Sequence, residues 1–425
     1  MSFFRLRAAI LTLIGCITFL IYIEIEFVIK PNDVPWPTRK RGIHGYVGQD
    51  EMAPKPIKIK KENASAKDLS QERIRKMQNM CRRHKAILPQ RNWNMFLDDK
   101  LHVGFCPIQK VGSTFWRRVL EYCGGRQKYP SVFAVKWFDM QTPHIEKYGK
   151  RASSLLNDSL KFMFVRNPYQ RLFSGWVDKL FSPNPLYWDK IGLTVKKFLN
   201  KNTTDVCGHN VTFSEMVKYF IHSERQRVKR DPHFIPMYDH CSPCHHDFDF
   251  IGTMETFSKD AAYLLEIISN RSLVNISMDD LEDAGYDSLF DHATRLYRFE
   301  RQTLKCVSFY EAMQRTWRNL QIRGYLGTNV SLPFTHEEAE SVVKEKYLGA
   351  LVTAYESSGS KAYRRANRHK ALIEAYTTID TADLEKLRRI FKPDWVLFGY
   401  NDRPIEIFEL SRHYKDSFSF FRIFK

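Results

Sequence analysis

Residues 102–120 read HVGFCPIQKVGSTFWRRVL, a pattern that predicts a strand, a tight loop and a helix in succession. The apolar residues at its start suit a buried strand, and Gly112 permits a turn before apolar residues recur at helical spacing. Lys110 is therefore expected on a loop that faces a helix N-terminus. Free N–H groups, the helix dipole and an ammonium group all favour a phosphate there, and Ser113 and Thr114 add hydroxyl donors. Because many such turns only cap a helix, a purely structural role is the alternative.

Residues 161–176, KFMFVRNPYQRLFSGW, repeat this arrangement. An apolar strand ends just before Arg166, Asn167 is a good N-cap, and Pro168 is a good first helical residue. In open α/β sheets, ligands bind beyond the carboxyl ends of the strands. We therefore expect Lys110 and Arg166 to converge on one nucleotide, the alternative being a surface arginine beside a helix start.

Together these stretches resemble the cofactor loops of the Golgi carbohydrate sulfotransferases, in the branch (sulfotransferase family 2) of the chondroitin, dermatan, HNK-1 and GalNAc 4-O-sulfotransferases. The resemblance implies an α/β fold with a central parallel sheet flanked by helices, of the nucleotide-kinase-like type. It also implies 3′-phosphoadenosine 5′-phosphosulfate (PAPS) as sulfate donor, with its 5′-phosphosulfate on the first loop and its 3′-phosphate on the second. The cofactor-binding residues so predicted are Ile108, Gln109, Lys110, Val111, Gly112, Ser113 and Thr114, followed by Arg166, Asn167, Pro168, Tyr169, Gln170, Arg171, Leu172, Phe173 and Ser174. Gln109 stands where the family usually has proline.

A third segment, residues 231–252, clusters cysteine and histidine. Cys241 and Cys244, with His240, His245 and His246, offer enough ligands for zinc, but no second pair follows at zinc-finger spacing. The segment also resembles the family's His-Trp-x-Pro, Cys-x-Pro-Cys and Tyr-Asp-Phe-Ile-Gly sequence, with phenylalanine in place of the tryptophan and the tyrosine. That resemblance favours disulfide or structural cysteines, and no metal is expected.

Sulfuryl transfer needs a group that meets the charge on the bridging oxygen and a base that takes the acceptor proton. Lys110 is the predicted catalytic residue for the first task. His233, which matches the family's histidine, is predicted for the second, and a structural histidine bonded to backbone is the alternative. Glu255 and His144 are the reserve candidates for the base.

The chain has 425 residues, 43% of them hydrophobic, which is enough for one large core or two modest ones. Lysine and arginine give it a formal net charge of +18. A basic balance of this size implies polyanionic partners such as nucleic acid, anionic lipid or sulfated glycan.

The amino terminus helps to choose among these partners. Residues 8–23 are uncharged, with Arg5 and Arg7 before them and Glu24 and Glu26 after them. This asymmetry predicts a single-pass type II signal anchor, the alternative being a cleaved signal peptide. The predicted organisation is a cytoplasmic tail (1–7), a transmembrane anchor (8–29), a stem (30–70), a luminal sulfotransferase domain (71–400) and a C-terminal tail (401–425).

Seven Asn-x-Ser/Thr sequons support a luminal chain and argue against a cytosolic nucleic-acid-binding protein. They are Asn63, Asn157, Asn202, Asn210, Asn270, Asn275 and Asn329. Seven cysteines follow the predicted anchor, an odd number, so at least one thiol stays free or pairs between chains. The predicted location is the Golgi membrane with the catalytic domain in the lumen.

The leading functional prediction is PAPS-dependent sulfation of a glycosaminoglycan or glycoprotein glycan. The family branch favours the 4-hydroxyl of GalNAc in chondroitin or dermatan. Sulfation of the glucuronate 3-hydroxyl, as in HNK-1 synthesis, and a non-enzymatic glycan-binding membrane protein are the alternatives. A phosphate-loop kinase is disfavoured because its lysine follows the last glycine of the loop, whereas Lys110 precedes Gly112.

Overall fold

The computed structural model describes residues 65–84, 94–136, 139–200, 204, 206–274, 276, 284–409, 411, 414, 416 and 418–422. The predicted cytoplasmic tail, the anchor and the sequons Asn63, Asn202 and Asn275 lie outside the described residues. Within those ranges no helix has both the length and the apolar character needed to cross a membrane.

The described residues are mainly helical. α-Helices span Ala66–Arg83, Ser113–Cys123, Ala152–Asn157, Pro168–Trp176, Pro185–Tyr187, Leu193–Leu199, Phe213–Gln226, Tyr238–Cys241, Phe257–Ser269, Ala284–Arg298, Glu300–Thr303, Phe309–Ile322, His336–Ala339, Lys344–Glu356, Lys361–Tyr376, Thr381–Ile390, Lys392–Phe398 and Ile405–Phe408. Val132–Ala134 and Ile145–Arg151 are 3₁₀-helices, and Val177–Phe181 and Trp188–Gly192 are π-helical.

In the part of the chain that the structure describes, four strands form one sheet in the order β1 (Phe96–Asp98), β2 (Val103–Cys106), β3 (Leu160–Val165) and β4 (Phe250–Thr253). β2, β3 and β4 are parallel, which confirms the predicted parallel sheet for these three strands. β1, a strand that the sequence did not predict, pairs antiparallel with β2 at the edge of the sheet. A short turn joins β1 to β2, and a connection of this length can only reverse the chain.

The helix Ser113–Cys123 is fixed on the sheet by aromatic packing. The ring of Trp116, which is fully buried, lies 5.0 Å from that of Phe162 and 5.1 Å from that of Phe164 between centroids. Phe105 of β2 stacks on Phe162 at 4.8 Å. Truncation of a buried aromatic side chain of this size typically costs about 3–5 kcal/mol. This packing therefore determines where the loop before the helix lies.

The first described helix belongs to the folded unit. Ala66–Arg83 begins with a capping box between Ser65 and Asp68. The Oγ of Ser70 accepts a hydrogen bond of 2.8 Å from the backbone of Ile251 in β4. The helix starts within the predicted stem, so residues 66–70 pack against the sheet instead of forming part of an extended linker.

The last described residues also pack against the fold, although the sequence assigned residues 401–425 to a tail. Phe420 is fully buried, and the ring of Phe421 lies 5.2 Å from that of Trp176. The Oγ of Ser419 donates a 2.6 Å hydrogen bond to Glu374. The aromatic residues of this segment therefore close one side of a hydrophobic core.

Candidate active site

The loop Ile108–Gly112, here called the lysine loop, follows β2 and has an unusual backbone. Lys110 has a φ of 70° and Gly112 a φ of 86°. A non-glycine residue in this region costs on the order of 1 kcal/mol or more and is held there by its surroundings. A Cβ atom at Gly112 would lie 3.3 Å from the ring of Phe257. Gly112 is therefore suited to its position by conformation and by space.

The helix Ser113–Cys123 begins without the usual protein cap. Gly112 supplies no side-chain hydrogen bond to it, and its first turn has no acidic residue. By contrast, the helices that begin after Thr212 and Thr335 both have capping boxes. Ser113 is partly exposed and Thr114 is exposed. The open N–H groups and hydroxyls form a site that favours an anion.

The second predicted loop leads into the helix Pro168–Trp176, here called the arginine helix. The Oδ1 of Asn167 accepts hydrogen bonds from the backbone of Tyr169 and Gln170 at 3.0 and 3.3 Å, which confirms the predicted N-cap. Arg166 Nη1 lies 3.4 Å from the carbonyl oxygen of Lys110. The two stretches predicted to share one ligand therefore meet beyond the carboxyl ends of β2 and β3.

Arg166 is surrounded by more positive than negative charge. Burial lowers the pKa of its guanidinium to about 10, and the positive charge of Arg368 acts in the same direction. Glu255 opposes this shift. Among the described residues no carboxylate forms an ion pair with Arg166, so its side chain can bind an anion.

Arg171 was predicted to contact the cofactor, but the structure surrounds it with protein. Its side chain is almost completely buried. Its Nε donates to Gln109 O at 2.8 Å, Nη1 donates to Ile235 O at 2.5 Å, and Nη2 donates to Pro232 O at 3.0 Å. Arg171 thus ties the lysine loop to the segment that follows residue 231. Its hydrogen bond to the carbonyl oxygen of Gln109 holds the start of that loop.

Several other predicted cofactor residues are buried in the hydrophobic core. These are Ile108, Val111, Tyr169, Leu172 and Phe173. Their side chains pack against protein and are not on the surface where a nucleotide could contact them. Any contact they make with a nucleotide is through the backbone.

Lys110 lies in a network of charges centred on Asp178. Its Nζ is 2.9 Å from Asp178 Oδ2, which is also 3.2 Å from Lys179 Nζ. Arg295 Nη1 contacts the other carboxylate oxygen at 3.0 Å. Burial lowers the pKa of Lys110 to about 7, although the Asp178 carboxylate opposes the shift, while Lys179 and Arg323 add to it. The amine is therefore poised between its two protonation states near neutral pH.

His233 lies beside the same network. Its Nδ1 is 2.7 Å from Asp231 Oδ1 and 3.2 Å from the hydroxyl of Tyr187. Lys179 Nζ lies 4.6 Å from the centre of the Tyr187 ring. Burial lowers the pKa of His233, although Asp231 opposes the shift, while Lys110 and Lys179 add to it. The imidazole is therefore neutral near pH 7, with Nδ1 held by Asp231.

Neither reserve base is placed as well as His233. Glu255 accepts hydrogen bonds from the backbone of Asn167 at 3.1 Å and from the hydroxyl of Tyr400 at 3.0 Å, so it holds the start of the arginine helix. His144 Nε2 lies 3.3 Å from Asn94 Oδ1, next to the edge strand β1. Its described contacts do not include the Lys110 network.

Disulfide bonds account for the cysteine cluster. Three disulfides join Cys81 to Cys244, Cys106 to Cys241, and Cys207 to Cys306. Cys123 is free and buried, as the odd number of cysteines required. The zinc alternative is wrong for Cys241 and Cys244, because neither has a thiolate to offer.

The segment that carries His233 is fastened from two sides. The disulfide between Cys106 and Cys241 joins it to the end of β2. Asp394, from the helix Lys392–Phe398, accepts hydrogen bonds from the backbone of Met237 and Tyr238 at 2.8 and 2.9 Å. Burial raises the pKa of this carboxyl to about 7, although the two hydrogen bonds oppose the shift. Residues at the end of the domain therefore hold the candidate base in place.

Sequence reasoning missed Asp178, Tyr187, Asp231 and Arg295. Asp231 precedes His233 by two residues, and its Oδ1 accepts from the backbone of His233 at 2.9 Å. That spacing was a usable signal, because an aspartate often bonds the backbone two residues on. Arg295 lies in the stretch 278–301, which carried no motif, and belongs to the helix Ala284–Arg298.

The chain matches known proteins over the segment that contains these residues. The model of a sulfotransferase family matches residues 93–302. Carbohydrate sulfotransferase 8 of Mus musculus is 29% identical over 306 residues, which cover 67% of this chain and 69% of the relative. Carbohydrate sulfotransferase 11 of Mus musculus is 27% identical over 201 residues, covering 44% and 56%.

A third relative, carbohydrate sulfotransferase 14 of Danio rerio, is 29% identical over 179 residues, covering 41% of this chain and 47% of the relative. The chain therefore spans about half to two thirds of the length of these relatives. No solved structure gives a significant match.

Proposed function

The chain belongs to the sulfotransferase family, and from that premise we propose that it transfers a sulfuryl group from PAPS to a hydroxyl of a luminal glycan. The observation that carries the proposal is the contact between the two loops at the carboxyl ends of two parallel strands. There Arg166 Nη1 lies 3.4 Å from the backbone oxygen of Lys110. PAPS supplies the activated sulfate, and its phosphates need cationic donors. The uncapped helix, the lysine and the unpaired arginine form a donor set that fits it.

Lys110 is the proposed electrostatic catalyst. In a transfer between oxygens, negative charge develops on the oxygen that leaves with the nucleotide. A donor already in place stabilises that charge without reorganisation. Protonated Lys110, steadied by Asp178 at 2.9 Å, performs this task. Ser113 and Thr114 hold the adjacent 5′-phosphate, and Arg166 with Ser174 holds the 3′-phosphate.

His233 is the proposed general base. The carboxylate of Asp231 accepts a hydrogen bond from Nδ1–H at 2.7 Å, which leaves Nε2 as the proton acceptor. Because burial lowers the pKa of His233, the ring is neutral and able to accept a proton near pH 7. The acceptor hydroxyl would give its proton to Nε2 as its oxygen attacks sulfur.

We propose the 4-hydroxyl of N-acetylgalactosamine in chondroitin or dermatan as the acceptor. The matched relatives are named as carbohydrate sulfotransferases, which supports a sugar hydroxyl. The likeness of the two cofactor loops to the chondroitin and dermatan branch favours this position over the 3-hydroxyl of glucuronate. The formal net charge of +18 suits a polyanionic polymer.

We also propose a single-pass type II protein of the Golgi membrane, with its catalytic domain in the lumen. The support is the charge asymmetry around residues 8–23 and the three disulfides, which form in oxidising compartments. Four sequon asparagines that the structure describes, Asn157, Asn210, Asn270 and Asn329, are all exposed. Protection of the large domain from protease in sealed microsomes would agree with this topology, and its digestion would contradict it.

The reaction is tested with labelled PAPS and the full chain made in a secretory host. Desulfated chondroitin, desulfated dermatan and an HNK-1-type acceptor are compared, followed by disaccharide analysis. We expect label on the 4-hydroxyl of N-acetylgalactosamine. Label on glucuronate would correct the acceptor and keep the reaction, whereas binding of glycan without transfer to any acceptor would refute the enzymatic proposal.

A further inference from the structure

We propose that Arg323 and Arg368 bind the 3′-phosphate end of the nucleotide together with Arg166. This inference rests on the proposed function and adds two residues to its site. Both arginines lie after residue 302, beyond the segment that matches the sulfotransferase family model. Neither belongs to the two loops that the sequence singled out.

A chain of direct contacts leads from the lysine loop to Arg323. Asp178 binds both Lys110, at 2.9 Å, and Arg295, at 3.0 Å. Arg295 and His292 are three residues apart on the helix Ala284–Arg298 and therefore share a face. His292 Nε2 lies 2.9 Å from Arg323 Nη1. The guanidinium of Arg323 is thus held on the same side of the site as the Asp178 network.

The protonation of His292 fits a contact with an arginine. Its Nδ1 lies 2.6 Å from the carbonyl oxygen of Ser288, so Nδ1 carries the proton and Nε2 accepts from Arg323. Burial lowers the pKa of His292 well below its ordinary value. His292 therefore orients Arg323 without neutralising its charge.

Arg368 is attached to Arg323 from the neighbouring helix Lys361–Tyr376. Its Nη2 donates to the carbonyl oxygen of Arg323 at 2.7 Å. The turn and the helix touch closely, because a Cβ atom at Gly324 would lie 2.5 Å from the carbonyl oxygen of Arg364. Arg368 is an exposed residue, and among the described residues its guanidinium donates no other hydrogen bond.

The charges around this group lack counterions. The positive charges of Arg368 and Arg323 both lower the pKa of Arg166, and the charge of Arg323 also lowers the pKa of Arg368. Neither Arg323 nor Arg368 forms an ion pair with a carboxylate in the part of the chain that the structure describes. Asp178 is already shared by three cations, and Glu255 is bonded to Asn167 and Tyr400. A doubly charged phosphate beside Arg166 would relieve this repulsion.

The test compares two nucleotides that differ only in the 3′-phosphate. Adenosine 3′,5′-bisphosphate and adenosine 5′-phosphate are titrated calorimetrically into the full chain, as the parent and as Arg368→Gln and Arg323→Gln. We expect each substitution to weaken the bisphosphate about 10- to 100-fold and to leave the affinity for the 5′-phosphate within about twofold. Arg389→Gln is the matched control, because Arg389 is exposed and belongs to a different helix. It should leave both affinities unchanged.

Each other outcome contradicts either the assignment of Arg323 and Arg368 to the 3′-phosphate or the proposed function. An unchanged preference for the bisphosphate in both variants, or an equal loss for both nucleotides, overturns the assignment. A raised acceptor KM with unchanged bisphosphate affinity also overturns it, and would assign the arginines to an anionic acceptor. If the parent protein binds neither nucleotide, the proposed function itself fails. Melting temperatures identify a misfolded variant, and Arg323→Lys, which keeps the charge, should recover part of the affinity.

Discussion

The Asp178 carboxylate is expected to set the upper pH limit of activity. At the observed 2.9 Å and an effective dielectric constant of about 20, its interaction with Lys110 is on the order of 5 kcal/mol. The interactions of one carboxylate with several cations add in pairs, so Lys179 and Arg295 do not divide this energy. Removal of an opposite charge at this distance typically moves a pKa by about one to three units, and we take the smallest of these shifts, about one unit. Asp178→Asn should therefore lower the pKa of Lys110 from about 7 to about 6.

The direction of this pKa shift follows from the charge on each protonation state of Lys110. The carboxylate stabilises protonated Lys110, so its removal favours the neutral amine, which cannot stabilise the leaving oxygen. In the parent enzyme, kcat/KM for PAPS should fall above about pH 7 as Lys110 loses its proton. In Asp178→Asn this fall should begin about one pH unit lower, so that kcat/KM at pH 8 is about tenfold below the parent value.

The assay is kcat/KM for PAPS between pH 5 and 9 at saturating acceptor. Asp189→Asn is the control, because Asp189 is exposed and the substitution removes the same charge two residues after Tyr187. It should leave the alkaline limb in place. If the alkaline limb of Asp178→Asn lies at the same pH as that of the parent, and the melting temperature is unchanged, Lys110 is not the group that titrates. Its catalytic role is then refuted.

Four further predictions concern the same site. Lys110→Ala should lower turnover about 100- to 1000-fold with a smaller loss of bisphosphate affinity, because the lysine acts mainly in the transition state, and an equal loss in both would contradict this. Arg166→Ala should weaken bisphosphate binding about 10- to 100-fold with the melting temperature preserved, and unchanged binding would remove the 3′-phosphate assignment. His233→Ala should abolish the acidic limb of the pH profile, which we expect below pH 6.5 because burial lowers the pKa, whereas a purely structural histidine would leave that limb intact. EDTA should leave the rate unchanged, and restoration of an EDTA-inhibited enzyme by zinc would disprove metal-free chemistry.

The two loops could be predicted because local chemistry determines them. Asn167 and Pro168 begin a helix wherever they follow a strand, and Gly112 permits a turn whatever surrounds it. Arg171 shows the limit of this reasoning. Helical spacing placed it on one face with Ser174, but the carbonyl groups that surround it come from Gln109 and the segment after residue 231. Contacts between distant segments have no local signature.

The same limit explains why the charge network was missed. Asp178, Arg295 and Arg323 come from three separate segments, and each alone is typical of a solvated helix surface. Their significance arises only in the fold, where Asp178 pairs with Lys110, Lys179 and Arg295. The edge strand β1 was also unpredicted, since three residues are too few for a periodic pattern.

The hydrogen bonds from Met237 and Tyr238 to Asp394 set an order of events during synthesis. The ribosome synthesises the lysine loop and His233 well before residue 394. The backbone of Met237 and Tyr238 therefore has no Asp394 carboxylate to bond until that later segment has been made. Nascent chains that stop short of the helix Lys392–Phe398 would carry every predicted catalytic residue and still lack the contact that holds the base. Truncations that remove the helix Lys392–Phe398 should therefore be as damaging as changes in the loops themselves.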